Sequence, residues 1–291
     1  MQLRKLYGIS KKYLASLVLL ISHSIFDWAH KNILVYAGPG VGPKSLANTV
    51  ALLQSLVADP YTIKTVDSDT IIGTEWLNDT ALLVMPGGAD APYMEKLTGI
   101  GNQNIRDYVQ NGGKYLGICA GAYYAADRIE FAKDDPRLEV IAARELKFYP
   151  GLVEGPTYDG FDYVAPQNIN GMRAAMISWQ ADQPFAVNKK FVAYYNGGGH
   201  FVAAEEYPQI TVLARYNLDT PSQAADPVAI IECKYGKGTA ILSGLHFEWD
   251  PQSLADTPLQ LAAIKADLLR QNSDRVLLAK HLLTRLGLTV Y

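Results

Sequence analysis

Cys119 is the residue around which chemistry can be built. It lies in Gly117-Ile-Cys119-Ala-Gly121, at the junction of a short apolar run (Lys114 to Ile118) and a stretch that reads as the first turns of a helix (Ala120 to Ala126). A glycine two residues before and two after a nucleophile is the pattern of a strand–turn–helix elbow, a turn too tight for larger side chains at those positions. The helix N-terminus beside the sulfur offers unpaired N–H groups and a dipole that favours thiolate. A thiolate nucleophile calls for a base. Past the N-terminal extension the histidines are His200, His246 and His281. His281 lies among Leu282, Leu283 and Leu286 and reads as structural. His246 falls in Ser243-Gly-Leu-His246-Phe-Glu248-Trp-Asp-Pro251, with Glu248 two residues on. In extended backbone those two side chains share a face. A carboxylate beside an imidazole fixes its tautomer and stabilises its charged form. Cys119, His246 and Glu248 therefore compose a candidate triad for acyl transfer. Ala120, directly after the nucleophile, supplies one candidate oxyanion amide, and Gly87 or Gly88 supplies the second, since glycine permits close approach of backbone to substrate. The alternatives are a buried cysteine in a glycine-rich strand end, a hydrogen-bonded strand-end histidine, and a Pro86-Gly87-Gly88 loop that simply turns the chain.

Weaker pocket candidates surround this set. Asp90 closes the Pro86–Asp90 loop, Glu130 follows the elbow helix, and His200 follows the triple glycine 197–199. Tyr123 and Tyr124 read as wall or core. Cys233, within Ala229-Ile-Ile-Glu-Cys233-Lys, reads as a small apolar filler. With two cysteines there is no disulfide framework and no zinc cluster, and the chemistry calls for no metal ion or organic cofactor.

The elements that must position these residues alternate. Asn32 to Tyr36, Tyr61 to Val66, Ala81 to Met85 and Lys114 to Ile118 read as strands, the third a continuous apolar run suited to a parallel sheet covered on both faces. Lys44 to Val57 has helical apolar spacing at Leu46, Val50, Leu53 and Val57, and Asn104 to Asn111 belongs to a helix closed by Gly112-Gly113. Alternation of this kind predicts an α/β doubly wound sheet with right-handed crossovers and a site beyond the carboxyl ends of its strands. Gly38, Gly40 and Gly42 follow the first strand, but their spacing is not that of a dinucleotide loop and two prolines stiffen it. From residue 139 short strand-like runs alternate with turns: Ala174 to Trp179, Phe191 to Tyr195, Ile210 to Tyr216, and Val228 to Cys233 joined through Gly236-Lys-Gly238 to Thr239–Leu245. This predicts a mostly antiparallel extension of one domain, residues 32–291. Helices Leu259 to Gln271 and Asp274 to Leu286 end the chain, with Ser273 as N-cap and Gly287 as stop.

The 291 residues are 49% hydrophobic and 19% charged, ample for a large core. Of 26 basic and 29 acidic residues, five basic (Arg4, Lys5, Lys11, Lys12, Lys31) and one acidic (Asp27) fall in residues 1–31. The remainder is left with 21 basic against 28 acidic residues, a net of −7, which argues against nucleic acid as a partner. Residues 1–24, with a basic start, the apolar run Leu14 to Ile21 and small residues at Ser22 and Ser24, resemble a secretory signal or membrane tether. That places the protein outside the cytoplasm; an extra helix packed on a cytoplasmic domain is the alternative.

Taken as a set, Ile33-Leu-Val-Tyr-Ala-Gly-Pro-Gly40, Met85-Pro-Gly-Gly-Ala-Asp-Ala-Pro-Tyr93, Gly117-Ile-Cys-Ala-Gly-Ala-Tyr-Tyr124, Arg128-Ile-Glu-Phe131, Arg144-Glu-Leu146, Phe148-Tyr-Pro-Gly151, Tyr194-Tyr-Asn-Gly-Gly-Gly199 and His246-x-Glu248 resemble the class I glutamine amidotransferase-like superfamily. The match is closer to one branch, the N-terminal domain of fungal-type biotin–protein ligases. The resemblance implies a flavodoxin-like core and the triad above. It does not imply biotin ligation, because the ligase's Gly-Arg-Gly-Arg-type adenylate loop and Lys-Trp-Pro-Asn-type segment do not occur in this sequence. Two functions follow as expectations. One is a cysteine-dependent amidase acting on a small polar, glutamine-like amide; with no synthase sequence alongside, hydrolysis is the more literal prediction. The other is a non-catalytic metabolite-binding or regulatory module using the same pocket.

Overall fold

The structure, a computed structural model, describes residues 31–163, 167–218 and 226–291; the signal-like segment at residues 1–24 lies outside them. The first half alternates as the sequence predicts: β1 (Asn32–Tyr36), α1 (Pro43–Leu56), β2 (Thr62–Val66), α2 (Ser68–Ile72), β3 (Thr80–Met85), α3 (Ala91–Leu97), α4 (Ile100–Gln110), β4 (Lys114–Ile118) and α5 (Ala120–Tyr124). β1 pairs in parallel with β2 and β3, and β3 with β4. Runs such as Leu82–Met85 are fully buried because helices cover both faces of the sheet. Leu52, Leu53 and Leu56 of α1 pack on one face, and Ile105 and Val109 of α4 on the other.

The second half adds β5 (Ala126–Phe131), β6 (Val140–Ala143), β7 (Tyr149–Gly155), β8 (Met172–Trp179), β9 (Lys190–Asn196), β10 (His200–Phe201), β11 (Ile210–Tyr216), β12 (Val228–Tyr235) and β13 (Gly238–Ser243), then α6 (Leu259–Arg270) and α7 (Asn272–Arg285). The main path of the sheet runs β2-β1-β3-β4-β13-β12-β10-β7-β5-β6, with β11, β8 and β9 branching from β12. The decisive strand is β13. Gly236, at φ 57°, turns the chain out of β12, and β13 returns antiparallel to it but parallel to β4. Ser243 thus stands opposite Ile118, which sets the residues after β13 beside the elbow that follows β4. α7 closes this face with Leu278, Leu282 and Leu283 fully buried, each worth about 1.5–3 kcal/mol relative to exposure.

Two local expectations are corrected. The elbow helix ends at Tyr124, and the chain passes at once into β5. Ile129 and Phe131 alternate with Arg128 and Glu130, a period of two, and pairing with β6 and β7 satisfies the backbone that a longer helix would have used. Ser273 lies inside the first turn of α7; the cap position is Gln271, which makes no side-chain cap bond. Gly287 does stop α7, at φ 83° with its N–H on Thr284 O. No helix among the described residues is long and apolar enough to cross a membrane.

Candidate functional site

The elbow is enforced by backbone contacts. A Cβ on Gly117 would lie 2.4 Å from Gly121 O, and one on Gly121 would lie 2.0 Å from Met85 O, so neither position admits a side chain. Between them Cys119 is held at φ 50°, ψ −104°, backbone strain of about 1–3 kcal/mol that the surrounding structure must sustain. The Cys119 N–H donates to Ser243 O at 2.8 Å, tying the elbow to the end of β13. Cys119 is 6% exposed, and its Sγ lies 3.8 Å from Asn196 O.

The imidazole reaches the same point from β13. His246 Nδ1 and Glu248 Oε1 are 2.8 Å apart, both residues buried; the carboxylate can only accept, so Nδ1 carries the proton. The pair meets through a turn, with Trp249 N–H on His246 O at 3.3 Å, where the sequence suggested extended backbone. Burial pulls the His246 pKa down, but the Glu248 carboxylate and then the Cys119 side chain outweigh it and hold it well above the ordinary histidine value. Gly87 fits between thiol and imidazole. A Cβ there would stand 2.5 Å from His246 Cε1 and 3.3 Å from Cys119 Cβ.

Ser45, which sequence reasoning passed over, joins these parts. Its Oγ donates to Glu248 Oε1 at 2.9 Å and accepts the Gly87 N–H at 2.9 Å. The only advance signal was a polar residue on the buried side of α1, where Asn48 likewise accepts from Asp250 N–H at 2.9 Å. The Gly87 amide is therefore engaged. Gly88 bridges Val41 between the bonds Gly42 N–H to Gly87 O and Ala89 N–H to Gly40 O. Among the described residues no acceptor meets the amides of Gly88 or Ala120. Both residues line a hollow beside Cys119 of about 20 Å³, room for roughly one water.

Asp90 lines the same hollow, its carboxylate 2.6 Å from Arg144 Nε. Glu130 and His200 are not brought to the sulfur. Ile129 and Phe131 face the hollow, so Glu130 points to the other face of β5, where it pairs with Lys133 at 3.3 Å. His200 stands opposite Glu154 on β7, with Nδ1 3.4 Å from Thr157 Oγ1, and burial holds its pKa below the ordinary value. Cys233 is fully buried, and burial followed by the nearby Glu232 pushes its thiol pKa well up. Among the described residues no cluster of three or more His, Cys, Asp or Glu side chains could hold a metal ion.

A family model described as the N-terminal region of biotin-protein ligase matches residues 31–291. The chain belongs to this biotin-protein ligase N-terminal family. A biotin–protein ligase of Schizosaccharomyces pombe is 37% identical over 221 residues, 76% of this chain and 34% of the ligase. The chain thus spans about a third of that relative's length. An uncharacterised protein of Chlamydia muridarum is 40% identical over 226 residues, 76% of this chain and 82% of that protein. Among solved structures, a β-galactosidase from Rahnella sp. R3 superposes with a TM-score of 0.44 at 14% identity, covering 80% of this chain and 32% of the enzyme. A likeness this distant says nothing about activity.

Proposed function

We propose that the chain is a small-molecule-binding module of the biotin-ligase N-terminal type, and that its ligand presents a carbonyl to Cys119. The observation that carries this is one hollow lined by Cys119 and by two residues, Gly88 and Ala120, whose amides have no acceptor among the described residues, with His246 set against Gly87 beside the thiol. Preorganised N–H donors of this kind bind a polarised oxygen without reorganisation. A shared family with a ligase that spans more chain fits a module serving other domains.

A second reading, turnover, is favoured by the left-handed backbone of Cys119, because strain at a nucleophile is retained only where its surroundings hold it. In that chemistry the Cys119 sulfur adds to a carboxamide carbon and the oxygen rests on the Gly88 and Ala120 amides. His246 gives its proton to the departing nitrogen as the C–N bond breaks. Water, its proton taken by His246, then cleaves the thioester and leaves the thiolate beside protonated His246, the state from which the cycle began.

Iodoacetamide labelling of the full chain near neutral pH tests the site. Cys119 should label faster than Cys233; equal rates would remove the reactive-site reading. Complementation then separates binding from turnover. A binding module survives Cys119→Ala and fails when the pocket wall is altered, whereas a hydrolase fails with either change. Export through residues 1–24 belongs to the same proposal, and sequencing the mature N-terminus tests it.

A further inference from the structure

The hollow beside Cys119 has two unlike walls. One is polar: Cys119 itself, Gly88, Ala120 and Asp90. The other is aromatic. Tyr123 packs edge-on against Phe131 with ring centroids 5.6 Å apart, Phe131 against Phe161 at 5.5 Å, and Phe161 against Tyr163 at 5.0 Å. Gly197 makes room for this wall, since a Cβ there would stand 2.4 Å from the Phe161 ring. Tyr163 is the outermost ring and is 53% exposed.

The ionic inventory of the hollow is short. Among the described residues no lysine, arginine or histidine lines it, and the one charged residue that does, Asp90, is already held by buried Arg144 at 2.6 Å. Behind the sulfur, His246 is engaged by Glu248. An α-carboxylate entering this space would shed water against aromatic carbon and beside a carboxylate, with no cation to receive it. Unpaired burial of an ion is strongly unfavourable. A neutral carbonyl head with a flat apolar substituent meets none of these penalties. Its oxygen finds the two amides and its substituent finds the rings, where aromatic contacts add to area burial.

We infer that the Cys119 site selects neutral carboxamides carrying an aromatic or flat apolar group, and rejects zwitterionic amides such as glutamine. This rests on the proposed carbonyl-binding site and reverses the polar, glutamine-like substrate that the sequence suggested. The hollow has room for about one water, so a ring-sized ligand must displace part of the aromatic wall to enter.

The test is calorimetric titration of the full chain carrying Cys119→Ala, so that binding is read without chemistry. The probes are phenylacetamide and L-glutamine. Phenylacetamide should bind at least about tenfold more tightly, the equivalent of one modest unmet polar cost. Phe161→Ala should cut that ratio severalfold. Asp90→Asn, which leaves Arg144 uncompensated at the pocket edge, should shift the ratio toward L-glutamine while leaving the aromatic wall intact. Equal or tighter binding of L-glutamine, or no binding of phenylacetamide, overturns the inference. Because these titrations do not depend on thiol reactivity, their failure is distinct from a failure of Cys119 to label faster than Cys233.

Discussion

Replacing Ser45 with alanine removes one hydroxyl that serves two buried partners. Its bond to Glu248 Oε1 and its bond from the Gly87 amide are both 2.9 Å long and both enclosed. A hydrogen bond to a charged group contributes about 1.5–3 kcal/mol, and a buried donor left without an acceptor costs about 1–3 kcal/mol. The two effects share one atom, so a total near 3 kcal/mol is expected. Urea unfolding at neutral pH should show this as a lower midpoint at unchanged slope, and the melting temperature should fall by roughly 6–12 °C. Ser45→Thr keeps the Oγ and should recover most of the loss. Iodoacetamide labelling of Cys119 should slow in Ser45→Ala and return in Ser45→Thr, which a general loss of packing would not produce. A destabilisation below about 1 kcal/mol would refute the claim that this hydroxyl is the joint between the carboxylate and the glycine loop.

Three further outcomes follow from the same geometry. Cys119→Gly should be more stable than Cys119→Ala by about 1–2 kcal/mol in urea, because only glycine accepts the left-handed elbow without strain; the usual order, alanine above glycine, would show that the strain relaxes. Gly87→Ala should push the imidazole off the sulfur, given the 2.5 Å approach of its Cβ to His246 Cε1; loss of selective Cys119 labelling with a native circular dichroism spectrum checks it, and unchanged labelling contradicts it. The raised pKa of His246 stabilises the fold fully below the unfolded value of about 6.5 and loses that contribution as pH climbs through the higher folded value. Urea midpoints should therefore decline on the alkaline side, and Glu248→Gln should flatten the decline; an unaltered slope in that variant would assign it to another group.

What the sequence disclosed was the part written in short-range spacing. Gly117 and Gly121 flank Cys119 because two backbones approach too closely for any Cβ, and that demand is visible as a five-residue pattern. After their first residues the β1, β3 and β4 runs are apolar because helices cover both faces, and that continuity reveals them. What stayed hidden depends on partners distant in the chain. β5 went unread because the strands it pairs with, β6 and β7, lie further along the chain. Ser45 carries no local mark that separates it from any polar residue early in a helix. Glu130 and His200 sit near the elbow in sequence or beside a glycine run, yet strand parity and the β7 register turn them to another face. Of the aromatic wall only Tyr123, beside the elbow, was legible, since Phe131 and Phe161 are thirty residues apart in the chain and meet only in the fold.

The thiol and its base are separated by nearly half the polypeptide, and they become neighbours only when β13 slots in beside β4. Closing so long a loop is entropically slow. During synthesis, then, the sulfur emerges long before its imidazole neighbour. A partly made chain holds the thiol alone, and the pair is assembled only by completion of the sheet, which makes that pairing a certificate of correct folding.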